Sequence, residues 1–271
     1  MSGLIIRVKG LVAPTGKKLV RDKSANAATR AIIDVSNQWS GGKKNLASGA
    51  QIRDLITGSA VAEVSKSHIY SGGGIIFSGI NGDTVNLPDV AAPQPADTHW
   101  LITIWMKMSN YGAGTAASAN NQTLSFSTTT LNNATQAMLT LVCTPAVGAV
   151  PTSISVYARG KNYSGLASAL APIYDNALHQ VAFELQLSSD GTQQQLKVYV
   201  DGVAVYTSGY SAVATTVPAA PTQKYIGTSA SFPLTWAGKF YRVRKDDLAA
   251  TTLTAAEILD ADLVFIDSRF S

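Results

Sequence analysis

From residue 72 onward, apolar and polar side chains alternate with period two. Ile102, Ile104, Met106 and Met108 fall on one side, Thr103, Trp105 and Lys107 on the other. Leu139, Leu141 and Cys143 repeat the pattern, as do Ile154 and Val156. The clearest run sets Val181, Phe183, Leu185 and Leu187 against Ala182, Glu184, Gln186 and Ser188. Successive side chains of a strand point to opposite faces, so each run predicts a strand with one buried side, as antiparallel sheets are written. Asp201-Gly202, between Leu196–Val200 and Val203–Val205, predicts a hairpin, because a type I′ turn needs positive φ at both central residues. Many strands, Gly, Asn and Pro turns and little helix predict an all-β, two-sheet antiparallel jelly-roll sandwich. One helix has a start signal. Thr254-Ala255-Ala256-Glu257 reads as a capping box, and Ile258, Leu259, Leu263 and Ile266 follow at helical spacing.

Residues 1–70 have a different texture and predict an irregular, basic N-terminal arm ahead of a domain over 71–271. Leu4–Val8 and Leu11-Val12 read as a strand, Ala31–Val35 as a second short apolar run, and Ala50–Ile56 as one or two helical turns with Ser48 as a weak cap. None of these buries a core alone, so the arm is expected to lie against the rest of the chain or another subunit. Residues 111–136 and 208–223, low in charge and rich in Ala, Ser, Thr and Asn, predict long loops, where a sandwich places its recognition surface.

Charge sharpens the division. Of 271 residues only 14% are charged, which excludes a coiled coil, acidic disorder and a highly charged nucleic-acid binder. Residues 1–70 carry a balance of +7 and the remaining 201 a balance of −3. The arm's charges are scattered and Trp39 is its only tryptophan, leaving no run of stacking aromatics, so the expected partner is protein rather than nucleic acid. Lys17, Lys18, Arg21 and Lys23 are the anchor candidates. Cys143 is the only cysteine, which excludes an internal disulfide and a thiolate metal cluster. No apolar run approaches a bilayer span and the N-terminus lacks a secretory signal, so synthesis in a cytoplasm without membrane insertion is expected.

Little of the chain reads as reactive chemistry. Glycoside hydrolysis needs two carboxylates flanking a sugar bond, yet Glu63, Glu184 and Glu257 are the only glutamates and none has an acid two residues away. Glu184 lies on the polar side of its strand and Glu257 is explained as the helix cap. There is no Gly-x-Ser-x-Gly elbow, and His68, His99 and His179 stand far apart with one cysteine, which disfavours zinc. For calcium, Asp83 and Asp201 read as turn residues and Asp246-Asp247 as solvated partners of Arg242 and Arg244, with no Asp-x-Asp spacing among them. Ser71-Gly72-Gly73-Gly74 lacks the Lys-Ser/Thr of a phosphate loop and reads as an entry into the sheet at unusual φ. The expectation is no metal, no cofactor and no enzyme. Sugar binding needs an aromatic face and amides. Asn110, Tyr111, Asn162, Tyr163, Tyr174 and Tyr210 are the glycan-contact candidates, although such residues also serve ordinary packing and subunit contacts.

Four segments carry a resemblance. Gly74-Ile75-Ile76-Phe77-Ser78-Gly79 with Asp83-Thr84-Val85-Asn86-Leu87-Pro88, then Leu178-His179-Gln180-Val181-Ala182-Phe183, Leu196-Lys197-Val198-Tyr199-Val200-Asp201-Gly202, and Gly238–Arg244 with Thr254–Ile258 resemble, in order and spacing over about residues 72–250, the laminin-G-like branch of the concanavalin A-like lectin/glucanase superfamily. Leu178 stands where that family carries a tryptophan. The layout of a short basic opening, such a body and the ending Arg269-Phe270-Ser271 is similar to tailed-bacteriophage virion proteins of the tail, baseplate or capsid surface. The resemblance implies a non-enzymatic structural or adhesion protein of the virion, made in the bacterial host cytoplasm. Its implied partners are other virion proteins, copies of itself and host surface polysaccharide. The alternative it offers is a carbohydrate-binding module, and after that a glycanase.

Overall fold

A computed structural model of the chain describes residues 22–80, 82–109, 121–129, 133–146, 149–227 and 234–270. Two antiparallel sheets pack face to face as a β-sandwich. The nine-stranded sheet one runs β14 (Val203–Thr207), β13 (Gln193–Val200), β12 (Leu178–Leu187), β7 (His99–Ser109), β17 (Leu234–Asp247), β5 (Gly74–Ile80), β4 (Tyr70–Ser71), with β1 (Thr29–Asp34) on β17 and β15 (Ser211–Ala212) on β13. The eight-stranded sheet two runs β11 (Lys161–Tyr163), β10 (Ala149–Ala158), β9 (Ala137–Ala146), β8 (Asn121–Ser127), β16 (Gln223–Gly227), β6 (Thr84–Asn86), β3 (Val61–Val64), β2 (Gln51–Arg53). Two helices, α1 (Ala167–Leu170) and α2 (Ala255–Phe270), complete the regular α structure among the described residues.

Alternation builds the interior. Trp100, Ile102, Ile104 and Met106 of β7 and Val181, Phe183 and Leu185 of β12 share one buried core with Leu139, Leu141 and Cys143 of β9 and Ile154 and Val156 of β10. Removing this apolar surface from water is the main stabilising force, at about 25 cal/mol per Å². The hairpin joining β13 to β14 has the expected backbone, with φ of 50° at Asp201 and 77° at Gly202. Gly72 and Gly73 enter β5 at φ of 54° and 82°, as the glycine run predicts.

Within the described residues the basic arm is part of the sandwich, so a boundary at 70/71 does not divide the fold. β1 pairs with β17, Ile33 opposite Val243, and Ala31, Ile33 and Val35 enter the central core. The segment read as helical turns at Ala50–Ile56 contains strand β2 instead. Ile52 is buried opposite Ala62 while Gln51 and Arg53 project outward, a two-residue period that a helix cannot satisfy. Ser48 caps nothing; its hydroxyl donates to the Ser65 carbonyl. Strand β8 likewise lies inside the stretch 111–136 that was expected to be loop.

Helix α2 closes the outer side of sheet one. Its capping box forms as expected: Thr254 N–H donates to Glu257 Oε2 at 2.7 Å and Glu257 N–H to Thr254 Oγ1 at 3.3 Å. Ile258 and Leu259 pack on Leu101, Ala182 and Tyr199, and Ile266 and Phe270 on Trp105 and Tyr241. Between these two apolar patches lies a buried ionic network. Asp262 accepts from Arg242 Nη2 at 2.9 Å and from Trp105 Nε1 at 2.7 Å. Arg242 also pairs with Asp22 and Asp34, and Arg244 with Asp246 at 2.6 Å. Reading Arg242, Arg244 and Asp246 as solvated is therefore wrong. They occupy the outer side of β17, but α2 and residues 22–28 cover it; only Asp247 reaches solvent, paired with Arg30 at 2.8 Å. Asp83 is also no open turn residue: it is buried and lies 3.1 Å from His68 Nε2.

Candidate functional site

The outer side of sheet two has the opposite chemistry. Register aligns one residue from each of its eight strands: Gln51, Glu63, Asn86, Tyr225, Ser125, Thr140, Tyr157 and Asn162. Each of these is flanked in its own strand by a core residue, for example Leu124 and Phe126 around Ser125, or Val156 and Ala158 around Tyr157. Period two therefore turns all eight away from the core. Every member bears a hydroxyl, amide or carboxylate. The row crosses seven gaps of about 4.8 Å, about 34 Å in all. Its centre is buried, with Tyr225 at 3%, Ser125 at 0% and Thr140 at 1% exposure. Its ends are open: Gln51, Glu63 and Asn86 on one side, Asn162 and half-buried Tyr157 on the other.

The Asn162 end opens into a groove of about 750 Å³ lined by Thr135, Gln136, Lys161, Asn162, Thr215 and Thr216, together with Gly160 and the apolar segment Ala212–Ala214. Local sequence fixes its walls. Gly160 sits at φ 84°, and a Cβ there would lie 2.8 Å from Ala214 Cβ, so this turn and the 212–216 loop touch only because the residue is glycine. Lys161 Nζ ties the loop down by donating to Ser211 Oγ and the Ala212 carbonyl, both at 2.7 Å. Asn133 caps the turn that carries Thr135, accepting from its N–H at 3.1 Å. The lining offers hydroxyls, amides and one ammonium, groups that orient a polyhydroxylated ligand by hydrogen bonds.

The sequence candidates divide accordingly. Asn162 lies in both row and groove, and Tyr210, 44% exposed, precedes the Ser211–Ala212 strand beside it. Tyr163 and Tyr174 are not available to a ligand. Tyr163 turns into the core and accepts from Gln194 Nε2 at 3.0 Å, and Tyr174 OH lies 3.1 Å from Cys143 Sγ. Asn110, Tyr111, Lys17, Lys18 and Arg21 fall outside the described residues; Lys23 is exposed. Tyr157 was missed, although its place between Val156 and Ala158 on an alternating strand marks it as outward-facing.

The remaining titratable clusters are occupied by the fold. His179 lies between two carboxylates, Nδ1 at 2.7 Å from Asp201 and Nε2 at 3.0 Å from Asp175. Donation to the Asp201 carboxylate, reinforced by Asp175, raises its pKa against the effect of burial. Burial pushes the Glu184 carboxyl up, but His99 at 2.8 Å, the Tyr199 hydroxyl and Lys197 outweigh it and hold the carboxyl below its ordinary value. Both are satisfied structural groups. No cluster of three His, Cys, Asp or Glu suited to a metal occurs among the described residues, and no described helix is long and apolar enough to cross a membrane.

The fold and this surface define a two-sheet antiparallel β-sandwich with one closed and one polar outer side. No family model and no curated protein matches the chain. Among solved structures it is similar to Trypanosoma rangeli sialidase, at 12% identity and TM-score 0.57, over 92% of this chain and 34% of that one. The same enzyme in complex with 2,3-difluorosialic acid aligns at 14% identity and TM-score 0.56 over the same shares. This chain thus spans about a third of the sialidase's length, and the likeness is one of fold. The Ruminococcus gnavus IT-sialidase CBM40 bound to alpha2,3 sialyllactose aligns at 16% identity over 69% of this chain and 94% of that one, but at TM-score 0.44 it bears on neither fold nor ligand.

Proposed function

We propose that the chain is a non-catalytic, concanavalin A-like adhesion module that contacts glycans through the open Asn162 end of sheet two. The observation that carries this reading is the polar eight-strand row running into a groove lined by hydroxyls and amides. Sugars present alternating donors and acceptors on a non-planar frame, and a rigid strand surface holds complementary groups at fixed spacing without an ordering cost. Among the described residues the groove lining contains no carboxylate or imidazole, which favours binding over hydrolysis. The setting we propose, from the resemblance of the layout, is the surface of a tailed-phage particle. Lys17, Lys18, Arg21 and Lys23 would serve as the anchor. Copies fixed by particle symmetry multiply weak individual affinities.

A glycan array probed with the full chain tests the binding reading. Binding of at least one glycan is expected, weakened about tenfold or more by Tyr157→Ala with Asn162→Ala. No binding, or binding indifferent to that pair, overturns it. The particle setting is tested separately: replacing the four anchor cations by glutamine should abolish incorporation of a folded chain, and normal incorporation would refute it.

A further inference from the structure

Trp39 is 64% exposed, whereas Trp100 and Trp105 are buried at 0% and 2%. Leaving an indole in water forgoes the burial that its size would otherwise give. Here the exposure is not due to a loose loop. The 3-10 turn Gln38–Ser40 that carries Trp39 is held from several sides. Asn37 Oδ1 accepts from Trp39 N–H at 2.9 Å, and Ser40 Oγ donates to the carbonyls of Asp34 and Asn37. Lys43 N–H returns to the Val35 carbonyl at 2.6 Å. Gly42 fits so closely that a Cβ would stand 2.2 Å from that same carbonyl oxygen. A backbone this constrained holds the root of the indole in place, which lowers the ordering cost of binding.

The surroundings specify the ligand. The turn packs on β2, with Gly41 beside the Gln51 carbonyl, so Trp39 belongs to the end of the polar row opposite the groove. Residues 37–53 contain Lys43, Lys44 and Arg53 and no acid. All three cations are exposed and none forms an ion pair or hydrogen bond through its side chain among the described residues. The amides of Gln38, Asn45 and Gln51 are exposed in the same segment; the carboxylates of Asp34 and Asp54 on either side of it are buried, and the one exposed carboxylate nearby among the described residues is Glu63, across from Gln51 on β3. A flat aromatic face, neutral amides and unneutralised cations together suit a sugar ring bearing a carboxylate or sulfate. A single-stranded nucleic acid would want successive stacking platforms, and this loop offers one.

We propose that the Trp39 turn, with Lys43, Lys44 and Arg53, is a second glycan site, specific for acidic sugars and separate from the Asn162 groove. The proposal rests on the glycan-binding reading but on different residues. In practice, a panel of uronate-, sialate- and sulfate-bearing glycans, their neutral counterparts and oligo-dT is titrated against the full chain, with tryptophan emission as the readout. Acidic glycans should shift the emission of the wild type. Trp39→Ala should abolish that shift and weaken binding about tenfold, Trp39→Phe should restore part of the affinity, and K43Q/K44Q/R53Q should remove the preference for acid over neutral and most of the salt dependence. Three results would overturn the site: acidic and neutral glycans bound equally, oligo-dT bound through Trp39 in their place, or acidic binding untouched by Trp39→Ala. In the last case a loss caused by Tyr157→Ala with Asn162→Ala would leave the groove standing while the Trp39 site falls; no glycan binding at all would remove both.

Discussion

The two outer surfaces of the sandwich are built from the same alternation and have opposite fates. On sheet one the outward residues include Arg242, Arg244, Trp105 and Gln180, and each is buried under α2 or residues 22–28. On sheet two the eight members of the row are uncharged apart from Glu63, and both ends of that row meet solvent. Polar residues facing away from the core are thus compatible with either outcome. What decides is whether another segment of the chain carries groups that complete them. Asp262 of α2 and Asp22 of the N-terminal stretch complete the arginines. The hydroxyls and amides at the sheet-two ends have no such partner segment among the described residues, and the same capacity for hydrogen bonding is left to a ligand.

Perturbing each surface should therefore give different readouts. Arg242→Ala removes the cation that three buried carboxylates, Asp22, Asp34 and Asp262, share and should lower stability by roughly 3–5 kcal/mol in urea unfolding, because unpaired buried charge is costly; a loss under 1 kcal/mol would show the closed side to be incidental. Gly42→Ala, which forces a Cβ onto the Val35 carbonyl, should cost roughly 1–3 kcal/mol and blunt any Trp39-dependent binding. Thr254→Ala removes the cap of α2 and should cost about 1 kcal/mol, loosening sheet one only.

Acidity gives two opposite readouts on sheet one. Burial raises the Asp262 carboxyl, but Arg242 and Arg244 hold it below its ordinary value. Its contribution is present above the unfolded pKa near 3.8 and disappears as pH falls through the lowered native value. His179 runs the other way. Raised above 6.5, it stabilises fully below that pH and the contribution is lost as pH rises through the native value, at most about 1 kcal/mol since Asp175 and Asp201 face solvent. His179→Asn should flatten the alkaline limb of a melting-temperature profile and leave the acid limb intact. The smallest effect belongs to the open side: Asn162→Ala should change stability by no more than about 0.5 kcal/mol while weakening glycan binding.

Period two on β7, β9, β10 and β12, the Asp201-Gly202 turn and the Thr254–Glu257 box were legible in the sequence because each is a local signal. The clamp was not. Arg242, Arg244 and Asp246 alternate like any solvated strand edge, and nothing nearby reveals that Asp22 and Asp262, about 220 and 20 residues from Arg242, close over them. The same limit hid β2, whose three residues are too few for a period to show. Tyr163 and Tyr174 looked like loop aromatics but turned inward, while Tyr157 was readable from alternation alone. Trp39 was visible in the sequence; its exposure was not, because a lone tryptophan among turn residues carries no periodicity to say which way it points.

The contrast is tested most directly by hydroxyl-radical footprinting of the full chain with and without the strongest glycan from the array. The account predicts protection confined to the sheet-two ends, at Tyr157 and the Asn162 groove or at the Trp39 turn, with α2 and the outer side of sheet one unchanged. Protection centred on α2, or spread evenly over both sides, would contradict it.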